Sequence, residues 1–230
     1  RGRCGGSSQA GGLTRMEGRR LIRHAVLAVL ATGLTLACYS MMPGATPMSN
    51  WSIATAWVSL LLLVITLMIG PYNVIVGKHN PISGYLRRDV AIWGGVLALI
   101  HMVLGLQVHF AGKVWLYFLY PADQQHLIPF RYGPFGITNY LGVIATLMVL
   151  YLLYLSRNTV LKRYGVQKWK RHQKLTYFYA TAVVVHGFVY QYLEKRSLVF
   201  VVLCIVMVLA AAILQWQGYR RSKAALRLVH

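Results

Sequence analysis

Residues 89–110 read DVAIWGGVLALIHMVLGLQVHF, and Arg87 and Arg88 stand directly before them. After Asp89 the run is apolar apart from His101, Gln107 and His109. About 20 mostly apolar residues suffice to cross a bilayer as a helix. The stretch therefore reads as a membrane span entered from a basic end. Its imidazole, His101, lies about 12 residues in, a depth of roughly 18 Å at 1.5 Å per residue. Five further stretches qualify, which gives six spans at roughly 22–42, 52–71, 89–110, 137–156, 173–193 and 197–217.

The whole composition agrees with that reading. Of 230 residues, 57% are apolar and only 12% are charged, against roughly 25% charged in an ordinary soluble domain. So apolar a chain is not intrinsically disordered. Lys and Arg number 24 and Asp and Glu only 4, an excess that in a soluble protein would point to nucleic acid. Here the basic residues have another use. The N-terminus, 72–88, 157–174 and the C-terminus hold 20 of the 24, and the intervening connections hold only Lys113, Arg131, Lys195 and Arg196. Cytoplasmic loops of membrane proteins carry such an excess. The expected fold class is all-α, a polytopic membrane protein with a six-transmembrane-helix bundle and both termini cytoplasmic. No nucleic-acid partner is expected.

Residues 1–20 are rich in Gly, Arg and Ser and are expected to be a disordered basic segment, with Met16 a candidate start. Residues 21–219 form the bundle, and 220–230 a basic cytoplasmic tail. The Arg19–Arg23 cluster before an apolar run reads as a retained signal anchor. Cys4, Cys38 and Cys204 are too scattered for a zinc site or a disulfide framework. The motifs GxxxxGK[ST], GxGxxG, GxSxG and HExxH are absent. The longest connection, 111–136, carries ten aromatics and prolines. It reads either as an interfacial aromatic belt or as a cap over a site near the outer face.

Polar residues inside a span are costly and mark function. His101 and His186 are two such residues. His186 lies 14 residues after His172, roughly 21 Å into the fifth span. The third and fifth spans run in the same direction, so the two imidazoles meet at similar depth. Two matched imidazoles can ligate one b-type haem from opposite faces. Gly94, Gly95 and Gly105 on the third span, and Ala180, Ala182 and Gly187 on the fifth, are permissive of it, and small residues equally allow close helix packing without any haem. At 100° per residue, His172 and His186 share a face of one helix. They can therefore serve two stacked haems, or His172 can be an interfacial residue of a basic loop. A partner for His172 is sought in Arg87, able to bind a propionate or less readily the iron, and in His79. His109 reads as interfacial or as a propionate partner, at the level of Tyr192 and Glu194.

Three blocks together resemble the ferric reductase-like transmembrane domain superfamily, which includes the haem-binding membrane subunit of methionine sulfoxide reductase systems. They are Asn80-Pro-Ile-Ser-Gly-Tyr-Leu-Arg-Arg-Asp-Val-Ala-Ile-Trp93 leading to His101; Gly105-Leu-Gln-Val-His109 with Trp115-Leu-Tyr-Phe118; and Trp169-Lys-Arg-His172-Gln-Lys-Leu-Thr-Tyr177 running to His186. The resemblance covers roughly 60–215. Arg171 stands where the family usually has leucine, and the third span has one histidine where the oxidases have two. The resemblance implies a multi-pass protein of the plasma membrane (the bacterial inner membrane) that binds one or two haem b. His101 and His186 match the outer ligands and His172 the inner one. It implies electron transfer from a cytoplasmic flavoprotein or quinol, with FMN or quinone near the inner rim, to an extracytoplasmic redox acceptor. The chain would then be an electron-transfer subunit of an oxidoreductase. A two-haem quinol-linked cytochrome is the neighbouring redox reading. The alternative from another class is a cofactor-free small transporter or scaffold.

Overall fold

The computed structural model describes residues 6–42, 46–77, 85–195 and 198–227. His79, His230 and most of the stretch before Tyr85 lie outside them. Seven helices follow in order: α1 (Gly6–Ser40), α2 (Pro47–Ile75), α3 (Tyr85–Gly105), α4 (Pro134–Leu155), α5 (Asn158–Gln173), α6 (Leu175–Leu193) and α7 (Leu198–Arg227). Among the described residues the only extended pairing is an isolated bridge, Leu119 with Phe130. Among the described residues five helices are long and apolar enough to cross a membrane, at Gly18–Ser40, Pro47–Ile75, Leu86–Gly105, Pro134–Leu155 and Leu198–Ala225. α7 shows why a bilayer is their surround. Val199, Val202, Val206, Leu209, Ile213 and Trp216 all lie exposed on it, a patch no water-facing surface leaves bare. α6 is not among the five, because Thr, Tyr, His and Gln interrupt its apolar run.

Several expected boundaries move. α1 reaches back to Gly6, into the segment expected to be disordered. Once an apolar run has nucleated a helix, each added residue extends it at little cost. α3 stops at Gly105 rather than at 110. The chain then turns through Phe110 and Ala111, both in the left-handed region, so His109 is not a helical residue. The expected fifth span, 173–193, is met by α6, but that helix does not run back to His172, which lies on α5 across a break at Lys174.

α2 is the organising element. It packs along α3, α7 and α1, while α4 pairs with α6. α3 meets α4 along a lesser seam, and α6 touches α7 only sparsely. Leu62, Val58, Ala31, Val90 and Leu97 tie α1, α2 and α3 together. Leu63, Leu67, Ala145, Val149, Tyr179 and Ala182 close the seam between α2, α4 and α6. Gly94 and Gly95 serve this packing rather than a cofactor. A Cβ on Gly94 would stand 3.2 Å from Leu62 Cβ, and one on Gly95 would stand 2.9 Å from Leu153 Cδ2.

One end of the bundle is basic. Arg221 of α7 donates to the carbonyl of Ile75 at the end of α2. Arg88 of α3 donates to Asn158 Oδ1 at the start of α5, at 2.7 Å. Arg20, Arg23 and His24 of α1 converge on Asp89 of α3, which is fully buried. The Arg23 Nε–Asp89 Oδ2 contact is 2.8 Å, and Arg20 and His24 each reach Oδ1 at 3.3 Å. Positions i, i+3 and i+4 share one helix face, so a single stripe of α1 supplies all three partners.

Candidate functional site

His101 comes from α3, one turn before that helix ends. Its Nδ1 donates to the carbonyl of Ser52 on α2 at 2.8 Å, with the Ser52 hydroxyl 3.2 Å from the same nitrogen. His186 comes from α6. Its Nδ1 donates to the carbonyl of Thr138 on α4 at 2.9 Å. A carbonyl can only accept, so in both rings Nδ1 carries the proton. The lone pair is then on Nε2, the nitrogen left for a ligand bond. A metal-binding histidine is oriented in this way by a second partner on its other nitrogen.

The two rings lie edge to face, with centroids 6.4 Å apart and planes at 79°. A histidine nitrogen bonds a metal at about 2.0–2.1 Å and lies about 1.1 Å from its ring centre, so two imidazoles across one metal have centres about 6.3 Å apart. The observed separation meets that requirement. A porphyrin supplies the other four iron ligands, so two histidines suffice for haem. Among the described residues no group of three or more His, Cys, Asp or Glu forms a metal cage.

A cavity of about 370 Å³ surrounds the pair, within the usual range of small-molecule sites. Gly105, Gly142 and Gly187 line it. A Cβ added to Gly142 would stand 3.0 Å from His186 Cε1, whereas one on Gly187 would meet nothing. Of the six small residues expected to make room, Gly105 and Gly187 line the cavity, while Gly94, Gly95, Ala180 and Ala182 are spent on helix packing.

The end of the cavity away from the basic end of the bundle is polar and capped. Tyr117, only 1% exposed, donates to the carbonyl of Gly105 at 2.8 Å and accepts from the backbone N–H of His109 at 2.8 Å. Burial holds its phenol above the usual range and Glu194 adds to this, while the His109 N–H acts the other way. The hydroxyl therefore stays protonated and keeps its donation to Gly105. Tyr190, one turn beyond His186, lies 5.0 Å from that ring and donates to Asn139 Oδ1 at 2.7 Å. His109 Nε2 and Glu194 Oε1 are 3.3 Å apart, joining the cap to the end of α6. Arg131 lies over the rings of Phe110 and Tyr120, 5.1 Å from each centroid, and pins the loop from above. Both readings of the aromatic loop have a share. Tyr117 and Phe118 form the cavity wall, while Trp115, Phe130 and Tyr132 are exposed.

The structure does not join His172 to this site. It lies on α5, exposed, with Nδ1 2.9 Å from the Tyr151 hydroxyl and its ring against Tyr164. The break at Lys174 means that counting 100° per residue from His172 to His186 crosses two helices. Arg87 sits half-buried in the first turn of α3, and among the described residues no bond links it to His172. The sequence reading missed Ser52, Thr138, Asn139, Tyr190 and Gly142. It did place Glu194 at the level of His109, and the 3.3 Å contact between them agrees. No family model, curated protein or solved structure matches this chain.

Proposed function

We propose that the chain is a b-haem electron-transfer protein of the ferric reductase-like kind. In this reading it is a six-span bundle of the plasma membrane with both termini cytoplasmic. It passes electrons from a cytoplasmic flavoprotein or quinol to an extracytoplasmic acceptor. The observation that carries the proposal is the His101–His186 pair: two imidazoles on different helices, each held by a backbone carbonyl through Nδ1, with ring centres 6.4 Å apart in the lining of one cavity.

α6 counts as the sixth span although its hydropathy is lower. His186 bonds the Thr138 carbonyl, Tyr190 bonds Asn139, Tyr177 bonds Gln215 of α7, and Thr181 bonds the Tyr177 carbonyl. Polar groups satisfied inside the protein can lie at membrane depth. The basic end, with Arg20, Arg23, Arg88 and the α5 cations, is then the cytoplasmic one.

Haem, when bound, supplies a one-electron couple. His101 and His186 hold it through Nε2. The Ser52 and Thr138 carbonyls fix the two rings and raise their basicity as ligands. Ile53, Ala56, Leu60, Val143 and Val183 keep the surroundings apolar. The Tyr117 cap and the His109–Glu194 pair close the outer end. His172, Arg87 and the inner rim are where a second haem, FMN or a quinone would relay electrons from the donor.

The test is the reduced-minus-oxidised absorption spectrum of the purified protein, with haem quantified against protein. It is run on wild type, His101→Ala, His186→Ala and His172→Ala, with helix content checked by circular dichroism. A b-type spectrum lost in the first two variants is expected. A fall from two haems to one in His172→Ala would place a second haem. Colourless wild type after haem supplementation would sink the proposal and leave a cofactor-free bundle whose histidines merely pack.

A further inference from the structure

We infer that α5 is a surface helix that binds anionic phospholipid headgroups. Residues 157–174 carry seven cations, Arg157, Lys162, Arg163, Lys168, Lys170, Arg171 and Lys174, and no acid. All seven are exposed. Of the four acids in the sequence, Asp89 is buried with α1 partners, Glu194 is paired with His109, and Asp123 lies in the loop at the opposite end. The fourth, Glu17, is on α1. Among the described side chains none of the seven cations pairs with an acid, so their counter-charge comes from outside the chain.

The opposite side of α5 is anchored. Val160 is buried, and Leu161, Tyr164 and Trp169 are half-buried. Trp169 Nε1 donates to the carbonyl of Leu155, the last residue of α4, at 2.9 Å. Arg88 holds Asn158 at the other end. Gly165, at φ +70°, bends the helix midway, a conformation that side-chain-bearing residues resist. The bend and the anchors hold the helix against the end of a membrane span, at headgroup level, with its cations outward. A helix with a charged face and an anchored aromatic side fits the membrane interface. Each Lys or Arg near an anionic surface strengthens binding by about five-fold. Exposed cations in contact with solvent alone would show no such preference.

The experiment uses the full chain in nanodiscs of phosphatidylcholine with a minority of phosphatidylglycerol. Lipid retained on extraction into detergent is counted by mass spectrometry. Wild type is expected to enrich phosphatidylglycerol several-fold over the mixture. The variant Lys162→Gln/Arg163→Gln/Lys168→Gln/Lys170→Gln/Arg171→Gln is expected to fall to the ratio of the mixture. These residues are exposed, so the variant should fold, and its helix content is the check. Lys162→Arg/Lys168→Arg/Lys170→Arg should keep the enrichment, as should Lys113→Gln/Lys195→Gln at the opposite end. Raising salt to about 1 M, where the screening length is about 3 Å, should abolish it. No enrichment in wild type, or unchanged enrichment in the five-fold variant, would overturn the inference. In the first case α5 would be left to an acidic protein or to solvent.

Discussion

Gly142 offers the sharpest test of how the site is built. It lies one turn after Thr138 on α4, and the His186 ring rests against its bare Cα. A methyl added there would stand 3.0 Å from Cε1 and 3.3 Å from Nδ1 of His186. Ordinary carbon contacts begin near 3.5 Å, so the ring must retreat by roughly half an ångström. It cannot do so without stretching the 2.9 Å bond to the Thr138 carbonyl. Overpacking of this kind costs about 1–3 kcal/mol, and weakening the hydrogen bond adds about 0.5–1.5 kcal/mol. Replacing glycine by alanine in a helix returns about 1 kcal/mol. The net expectation for Gly142→Ala is therefore a loss of about 0.5–3.5 kcal/mol, a factor of about 2–400 in an equilibrium constant.

Gly187→Ala is the matched control, because it lies one residue from His186, lines the same cavity and meets nothing within 4 Å. Two readouts are needed: the unfolding midpoint in detergent without added haem, and the haem-to-protein ratio after supplementation. Gly142→Ala should lower both, and Gly187→Ala should leave the unfolding midpoint unlowered. If the two variants behave alike, the ring is not seated on Gly142 and the derived His186 geometry is wrong. If Gly142→Ala loses midpoint while wild type never takes up haem, the packing argument survives and the proposed cofactor does not.

Asp89→Asn should destabilise the bundle by about 3 kcal/mol, the lower end for a broken buried ion pair, because Arg20 and Arg23 remain 26% and 32% exposed. Chemical unfolding reads it, and an unchanged midpoint would mean that the α1–α3 cluster is ornamental. Tyr117→Phe removes the hydroxyl that serves both the Gly105 carbonyl and the His109 N–H, two backbone groups worth about 1–3 kcal/mol each when left unsatisfied. Faster hydrogen exchange at residues 106–118, with α2 unaffected, is the expected sign; equal exchange would show that other contacts hold the cap. Ser52→Ala should leave His101 in place, since the 2.8 Å partner is the backbone carbonyl and the hydroxyl is the longer contact at 3.2 Å. A lost haem spectrum in that variant would make the hydroxyl the true partner.

The membrane class and most of the helices were legible because apolar runs and basic loops are properties of single segments. His101 and His186 were legible for a related reason: a lone imidazole in an apolar run is conspicuous wherever the helices end up. What holds the two rings was not. Their partners are the carbonyls of Ser52 and Thr138, and a backbone carbonyl has no letter in the sequence. The six small residues show the same limit. Gly94, Gly95 and Gly105 look alike in sequence, yet the first two face Leu62 and Leu153 and only the third faces the cavity. Gly142, which matters most to His186, has no histidine on its own helix to draw attention to it. The Asp89 cluster did leave a trace, an isolated acid at a span end and two arginines and a histidine at i, i+3 and i+4 on α1. Reading it required knowing that α1 lies against α3. His172 fails differently. The 14-residue spacing to His186 is a sound inference within one helix and means nothing across two, and the break at Lys174 has no glycine or proline to announce it. Helical periodicity therefore predicts a shared face only where the helix is continuous. The candidate site survives because it rests on two residues brought together by packing, not on the count that linked His186 to His172.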